Sequence, residues 1–215
     1  MCFSAQASFG AAAVLGIIGL LCIKKAKTKN VKLLAVTPLL FAAQQAIEGI
    51  FWIGYLHDLP RIITTLATYS FVFFALLFWP VWIPFIMYKL EQHELRKSIL
   101  GTFLMGGILL ACFFIWQMGC AGATAGIING HVMYHIGLSE MKYWVTGVIY
   151  ALITLGSLFV SSVPYMWTLG VASTVAAIFT LTFYKLSFIS VWCFFAALIS
   201  ILIYAIIWNM NRKYD

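Results

Sequence analysis

The amino-acid sequence predicts an all-α fold, a polytopic membrane bundle of seven transmembrane helices. Hydrophobic residues make up 64% of the 215 residues and charged residues only 9%. The apolar residues form seven stretches, each close to the roughly 20 residues that a helix needs to cross a bilayer. No stretch of ordinary soluble composition is left over. Residues 1–215 are therefore predicted to form a single integral membrane domain.

The seven spans are predicted near residues 8–24, 33–56, 62–88, 98–117, 143–162, 165–184 and 187–208. The first stretch lacks the basic leader and the cleavage site of a secretory signal peptide, so we expect it to remain as a span. The fifth and sixth stretches are parted only by a short segment with Pro164, a residue that suits the first turn of a helix. A single kinked helix there, and hence six spans, is the alternative.

The basic residues predict the orientation of the bundle. Of the 13 Lys and Arg residues, ten fall in the first and third loops and the C-terminal tail, and three fall on the opposite side. Because cytoplasmic loops carry the excess of Lys and Arg, this pattern predicts an extracytoplasmic N-terminus and a cytoplasmic C-terminus. We expect a multi-pass protein of the cell (inner) membrane, with the lipid bilayer as its surroundings. Nucleic acid is not an expected partner, because the basic residues flank apolar spans.

The second span carries an unusual group of polar residues in its middle. Helical spacing places one set of side chains on one face, namely Phe41, Gln44, Glu48, Trp52 and Tyr55. A carboxylate at that depth is costly unless it is paired, protonated or hydrated, so Glu48 marks a candidate functional site. With Gln44, Gln45, Trp52, Tyr69 and Ser4, it is predicted to form a polar pocket that opens to the extracytoplasmic side. Polar residues at the outer ends of the fifth and seventh spans are expected to contribute to it, namely Thr146, Tyr150, Ser187, Ser190 and Cys193. Ser4 has a second interpretation, as the N-cap of the first helix.

The longest connection, residues 118–142, is predicted to be extracytoplasmic and to cover this pocket, either as a lid or as a segment that dips into the membrane. It contains His131 and His135, whose spacing on a helix would align two imidazoles for zinc or another transition metal. Glu48, Cys120 and Cys2 are further candidate ligands. The alternatives are hydrogen-bonding or interfacial histidines, and a disulfide between Cys2 and Cys120.

Two resemblances follow from these residues. The opening Met-Cys-Phe-Ser-Ala at residues 1–5, with Gln44-Gln45, Glu48-Gly49 and Trp52, resembles an uncharacterised family of small bacterial seven-span proteins. That resemblance implies an architecture and no activity. The span count and the HxxxH pattern are weakly similar to the seven-span hydrolases that include alkaline ceramidases and adiponectin-type receptors. In that group the HxxxH lies on the last helix, whereas His131 and His135 precede the fifth span.

Three functions are therefore open from the sequence. The first is binding of a small ligand, ion or proton at Glu48, in transport, sensing or an accessory role. The second is metal-dependent hydrolysis of a lipid or other apolar substrate, with zinc held by His131 and His135. The third is a structural subunit of a larger membrane complex or of a homo-oligomer, in which the polar side chains serve helix packing.

Overall fold

The computed structural model describes residues 4–212, with the side chain of Arg212 excepted. Its helices are α1 (Ala5–Lys25), α2 (Lys29–Leu56), α3 (Arg61–Val72), α4 (Trp79–Leu90), α5 (Glu94–Ala121), α6 (Glu140–Val160), α7 (Met166–Phe183), α8 (Phe188–Ile199) and α9 (Leu202–Arg212). Two antiparallel strands, β1 (Thr124–Ile128) and β2 (His131–His135), lie between α5 and α6.

Seven helical segments in the described part of the chain are long and apolar enough to cross a membrane, which confirms the predicted number. The third candidate span, Arg61–Leu90, joins α3 to α4 through a π-helical segment, Phe73–Phe78. The seventh, Lys185–Asn211, contains α8 and α9 with a break near Ser200. The helical bundle of the prediction is thus present, with a small β-hairpin added to it.

The helices begin where the sequence supplies caps. The Ser4 hydroxyl accepts a hydrogen bond from the Ala7 N–H at 3.2 Å, so Ser4 caps α1. Thr28 caps α2 in the same way through the Val31 N–H. Between α6 and α7 the chain turns at Tyr165, which has a φ of 63°. Pro164 therefore lies in this link, before the helix, rather than in the first helical turn as predicted.

Helix α5 makes a close approach to α4 at Pro80. A Cβ atom added to Gly107 would collide with the Pro80 carbonyl oxygen, so only glycine fits there. In a regular α-helix that carbonyl would accept from residue 84, but Pro84 has no N–H. The carbonyl thus lacks its usual helical donor, and it faces the α5 backbone at Gly107.

The predicted loop 118–142 is only partly a loop. Helix α5 continues to Ala121, and α6 begins at Glu140. The strands between them are joined by Asn129 and Gly130, whose φ angles of 50° and 74° define the tight turn that suits antiparallel strands. The connection that the sequence predicted as a lid or as a re-entrant segment therefore contains a β-hairpin, which was not predicted.

The hairpin packs onto one end of the bundle. Val132 is fully buried, and the Tyr134 ring stacks on Phe71 with a centroid distance of 4.4 Å. The Gln117 side chain donates a hydrogen bond to the Gly137 carbonyl at 2.8 Å, which fixes the segment after β2. The Tyr69 hydroxyl accepts from the Ala123 N–H at 3.2 Å, which fixes the segment before β1.

At the opposite end of the bundle, the Glu91 carboxylate joins the link between α4 and α5 to the link between α6 and α7. Glu91, directly after α4, is 3% exposed and accepts hydrogen bonds from the Ser162 hydroxyl at 2.6 Å and the Ser162 N–H at 2.7 Å. It also accepts from the N–H groups of Gln92 and His93. Burial acts to raise the pKa of Glu91, but these hydrogen bonds outweigh it and hold the pKa below its usual value. Glu91 is thus a second buried carboxylate besides Glu48, and it lies in the link between α4 and α5.

Candidate functional site

The polar face of α2 lies inside the bundle. Gln44, Gln45 and Glu48 are each 0% exposed, and Trp52 is 4% exposed. Ser190 of α8 donates a hydrogen bond from its hydroxyl to Glu48 Oε1 at 2.5 Å. Because hydrogen bonds between polar groups are strong in an apolar interior, this contact ties α2 to α8.

A second contact ties the same face of α2 to α4. The Trp79 indole N–H donates to Gln44 Oε1 at 2.7 Å, and the Trp79 ring stacks on Phe41 with centroids 3.9 Å apart. The Gln44 side chain also lies near Cys193 of α8, as does Glu48. The polar residues of α2 thus bring three helices to one point in the bundle.

Other polar groups in this region have no hydrogen-bond partner among the described residues. They are both ends of the Gln45 amide, the Trp52 indole N–H and the Ser8 hydroxyl. Leaving such a group unbonded in an apolar interior costs about 1–3 kcal/mol. These groups are therefore available to a small polar molecule, such as ordered water.

Two cavities lie beside this polar region. The hairpin cavity, of about 250 Å³, is bounded by β2, the segment after it, α6 and the start of the seventh span. The inner cavity, of about 90 Å³, lies between α2, α4, α6, α7, α8 and α9. Tyr150, Trp192 and Cys193 line both, so these three residues form a waist between the two spaces.

The hairpin cavity combines apolar walls with a few polar groups. Its polar lining side chains include Tyr134, His135, Tyr143, Thr146, Tyr150 and Lys185, and no acidic residue in the described part of the chain lines it. His135, Gly147, Lys185 and Leu186 line the cavity and are also exposed, so the opening lies beside them.

The π-helical segment forms one wall of the hairpin cavity through Ala75 and Leu76. In this segment the Trp79 N–H bonds to the Phe74 carbonyl, five residues earlier. The corresponding donor for the Ala75 carbonyl would be residue 80, which is a proline without an N–H. The Tyr150 hydroxyl donates to that carbonyl instead, at 2.7 Å. Pro80 therefore creates an acceptor that positions Tyr150 at the waist.

The structure brings together only part of the predicted pocket. Gln44, Gln45, Glu48 and Trp52 lie on one buried face, but none of them lines either cavity. Tyr69 is 38% exposed and anchors the hairpin. Ser4 caps a helix. The cavities are separated from Glu48 by Cys193. The sequence predicted Tyr150 and Cys193 in the outer half of the bundle around Glu48, whereas Trp192 was not predicted as a lining residue.

The predicted metal ligands are not brought to one point. His131 and His135 lie at the two ends of a strand, where a separation of four residues corresponds to about 13 Å. Two imidazoles on one metal must each approach it to about 2 Å, which the helical spacing would have allowed. No group of three or more His, Cys, Asp or Glu residues within residues 4–212 is arranged to hold a metal ion. Cys120 is exposed at the end of α5, and Cys2 lies outside the described residues.

The His131 side chain packs against an aromatic ring. Its ring meets Tyr184 edge-on, with centroids 4.9 Å apart. Burial lowers the pKa of His131, so the neutral form is favoured. Among the interpretations open from sequence, this contact fits a histidine that packs at the base of the hairpin.

The fold and the site define a class, namely multi-pass helical membrane proteins with internal cavities. A family model described as "Family of unknown function (DUF6629)" matches residues 1–214, and the chain belongs to that family. This agrees with the resemblance to an uncharacterised family. The comparisons with curated proteins and with solved structures found no match.

Proposed function

We propose that this membrane protein binds a small amphipathic molecule in the hairpin cavity. The proposal includes the orientation given by the basic residues, in which the hairpin lies on the extracytoplasmic side and the ligand enters from there. The role would be transport, sensing or an accessory function.

The observation that carries the proposal is the composition of the hairpin cavity. Ligand sites are mostly apolar concavities of about 300–1,000 Å³ with a few polar groups that orient the ligand. The hairpin cavity, at about 250 Å³, has aromatic and aliphatic walls together with Tyr143, Thr146 and Lys185. A π-helical segment, a feature found often at functional sites, forms part of its wall.

Glu48 acts behind this cavity rather than inside it. Helix α8 bonds to Glu48 through Ser190, whereas its residues Ile189, Trp192 and Cys193 line the cavity. A ligand that displaces α8 would therefore change the Glu48–Ser190 contact. In this proposal Glu48 is the protonatable group whose hydrogen bonding responds to occupancy.

The alternative of a metal-dependent lipid hydrolase gains nothing from this geometry, because His131 and His135 lie at opposite ends of β2. The structural-subunit alternative predicts no saturable small-molecule binding. A binding experiment therefore separates the proposal from it.

The experiment uses octan-1-ol as a neutral probe and the full-length protein in lipid nanodiscs. Saturable binding above that of empty nanodiscs is expected for the wild type. Gly147→Phe adds a ring at the opening, where a Cβ atom meets nothing within 4 Å, and should abolish the binding. Gly10→Phe, on α1 with equally open surroundings, is the matched control and should leave it intact.

A second filling variant covers the case in which the new ring at residue 147 turns towards lipid. Ile189→Trp enlarges a side chain of the cavity wall itself. Loss of binding in either filling variant, with binding retained in Gly10→Phe, supports the proposal. Absence of saturable binding in the wild type, or full binding in both filling variants, overturns it.

A further inference from the structure

We infer that the ligand is a single-chain carboxylate of about twelve carbons, whose chain passes the Tyr150–Trp192–Cys193 waist and ends in the inner cavity. This inference rests on the proposed function and deepens it, because it names the chemical class of the ligand and a second subsite.

The inner cavity is suited to hydrocarbon. Its lining includes Leu34, Ile83, Met87, Leu158 and Ile203, and among the described residues none that lines it is charged. Its polar side chains are few, and two of them, Thr154 and Ser200, bond to carbonyls of their own helices. A polar ligand group would therefore lose its hydration there without replacement, whereas a methylene chain would not.

The two cavities lie one after the other along helix α6. Along α6 the lining residues run from Tyr143 in the hairpin cavity, through Tyr150 at the waist, to Leu158 in the inner cavity. Fifteen residues of helix correspond to about 22 Å at 1.5 Å per residue. This elongated path fits one extended chain.

The volumes set the length of the chain. A cavity of about 150 Å³ takes a benzene molecule, which is about 25 Å³ for each carbon. By that measure the hairpin cavity, at 250 Å³, takes about ten heavy atoms, and the inner cavity, at 90 Å³, takes about four. Dodecanoate has that many heavy atoms, whereas octanoate fits the hairpin cavity alone.

The waist is held in place by hydrogen bonds to backbone. The Tyr150 hydroxyl donates to the Ala75 carbonyl, and the Trp192 indole N–H donates to the Ser173 carbonyl at 3.3 Å. The two rings meet edge-on with centroids 5.5 Å apart. Because these hydrogen bonds fix both rings, the ring faces that are left uncovered form apolar walls for the hydrocarbon chain of the ligand.

The opening selects the head group. Lys185 is exposed at the opening and lines the cavity, and within residues 4–212 no Asp or Glu lines it. The Lys185 ammonium lies 5.3 Å from the centre of the Trp144 ring, so it is held at the rim. A carboxylate at the rim would meet this positive charge, and the contact should weaken with added salt.

The test is a chain-length series from octanoate to hexadecanoate, bound to the full-length protein in nanodiscs and referred to the free aqueous concentration. Each added methylene should strengthen saturable binding about fourfold until both cavities are full, and binding should then level off near dodecanoate. Ala196→Phe fills the inner cavity and should move that limit to about decanoate while octanoate binding is kept. Ala13→Phe, at an exposed position of α1, is the matched control.

The head group is tested with dodecan-1-ol and Lys185→Gln. Dodecanoate should bind several-fold more tightly than the alcohol at low salt, and Lys185→Gln should remove that difference without weakening the alcohol. The inference would be overturned, even if octan-1-ol binds, by an equal chain-length limit in the wild type and Ala196→Phe. It would also be overturned if dodecanoate bound no more tightly than dodecan-1-ol. Absence of octan-1-ol binding as well would overturn the proposed function.

Discussion

Replacing Tyr150 with phenylalanine tests whether the π-helical segment and the waist depend on one hydrogen bond. The Tyr150 hydroxyl is the donor to the Ala75 carbonyl, and Pro80 cannot supply an N–H to it. Ala75 is 2% exposed, so Tyr150→Phe leaves a buried acceptor unsatisfied. The free energy of unfolding should fall by about 1–3 kcal/mol.

A double-mutant cycle shows whether the cause is the missing N–H at residue 80. In a Pro80→Ala background the backbone regains a donor, so Tyr150→Phe should cost less than half as much as in the wild type. Tyr143→Phe removes a hydroxyl from the same cavity and is the control, with an expected change below about 0.5 kcal/mol. Reversible unfolding in detergent, followed by tryptophan fluorescence, provides the measurement. Equal costs for Tyr150→Phe in both backgrounds would refute the explanation of the π-helical segment.

Three further perturbations have defined outcomes. Glu91→Gln should lower the free energy of unfolding by about 2–3 kcal/mol because it leaves buried donors unmatched, whereas the exposed Glu94→Gln should not. Because folding lowers the pKa of Glu91 below 4.5, the ionised carboxylate stabilises the fold fully at neutral pH, and this stabilisation is lost as the pH falls through the folded-state pKa. The difference in free energy of unfolding between pH 7 and pH 4 should therefore be smaller in Glu91→Gln than in the wild type. Glu48→Ala should lower the free energy of unfolding by about 2–3 kcal/mol, and Glu48→Gln should lower it much less because the amide oxygen can still accept from Ser190. Equal losses in the two variants would contradict a role for this hydrogen bond. Gly130→Ala should cost about 1–2 kcal/mol because of its φ of 74°, measured by thermal unfolding, and a neutral effect would argue against the turn.

The number of spans could be predicted from the sequence because a bilayer demands long apolar helices whatever their packing. The burial of Glu48 could be predicted for the same reason: a carboxylate in the middle of a span has no solvent to reach. Its partner was predicted only as one of several polar residues in the outer half of the bundle, because Ser190 is 142 residues away and nothing local in α8 distinguishes its hydroxyl from those that bond to their own helix.

The hairpin was missed although its signal is present in the sequence. Asn129-Gly130, between residues 124–128 and 131–135, is the pair that the tight turn of a hairpin requires. Interpreting His131 and His135 by the helical period gave a metal pair, whereas a strand separates them. The metal-site prediction thus depended on the assumed helix, and the strand that forms instead places the two histidines far apart.

The cavities and Glu91 depend on tertiary packing. Tyr150 and Trp192 come from different helices, and their meeting follows from how α6 and α8 cross. Glu91 has the appearance of an ordinary loop charge until the link after α6 folds over it. In both cases the relevant neighbour is about 40 residues or more away in sequence, beyond what local patterns can indicate.

The most direct measurement of the central claim is photo-crosslinking with a dodecanoate that carries a diazirine at its terminal carbon, followed by peptide mass spectrometry of the nanodisc-embedded protein. The account predicts labels on residues of the inner cavity, such as Leu158 and Ile203, that are competed by unlabelled dodecanoate and reduced by Ala196→Phe. The same reagent with the diazirine near the carboxylate should label the opening around Leu186. Labels confined to exposed apolar residues such as Leu109 and Val175, without competition, would show a chain that lies only in the surrounding lipid and would contradict the account.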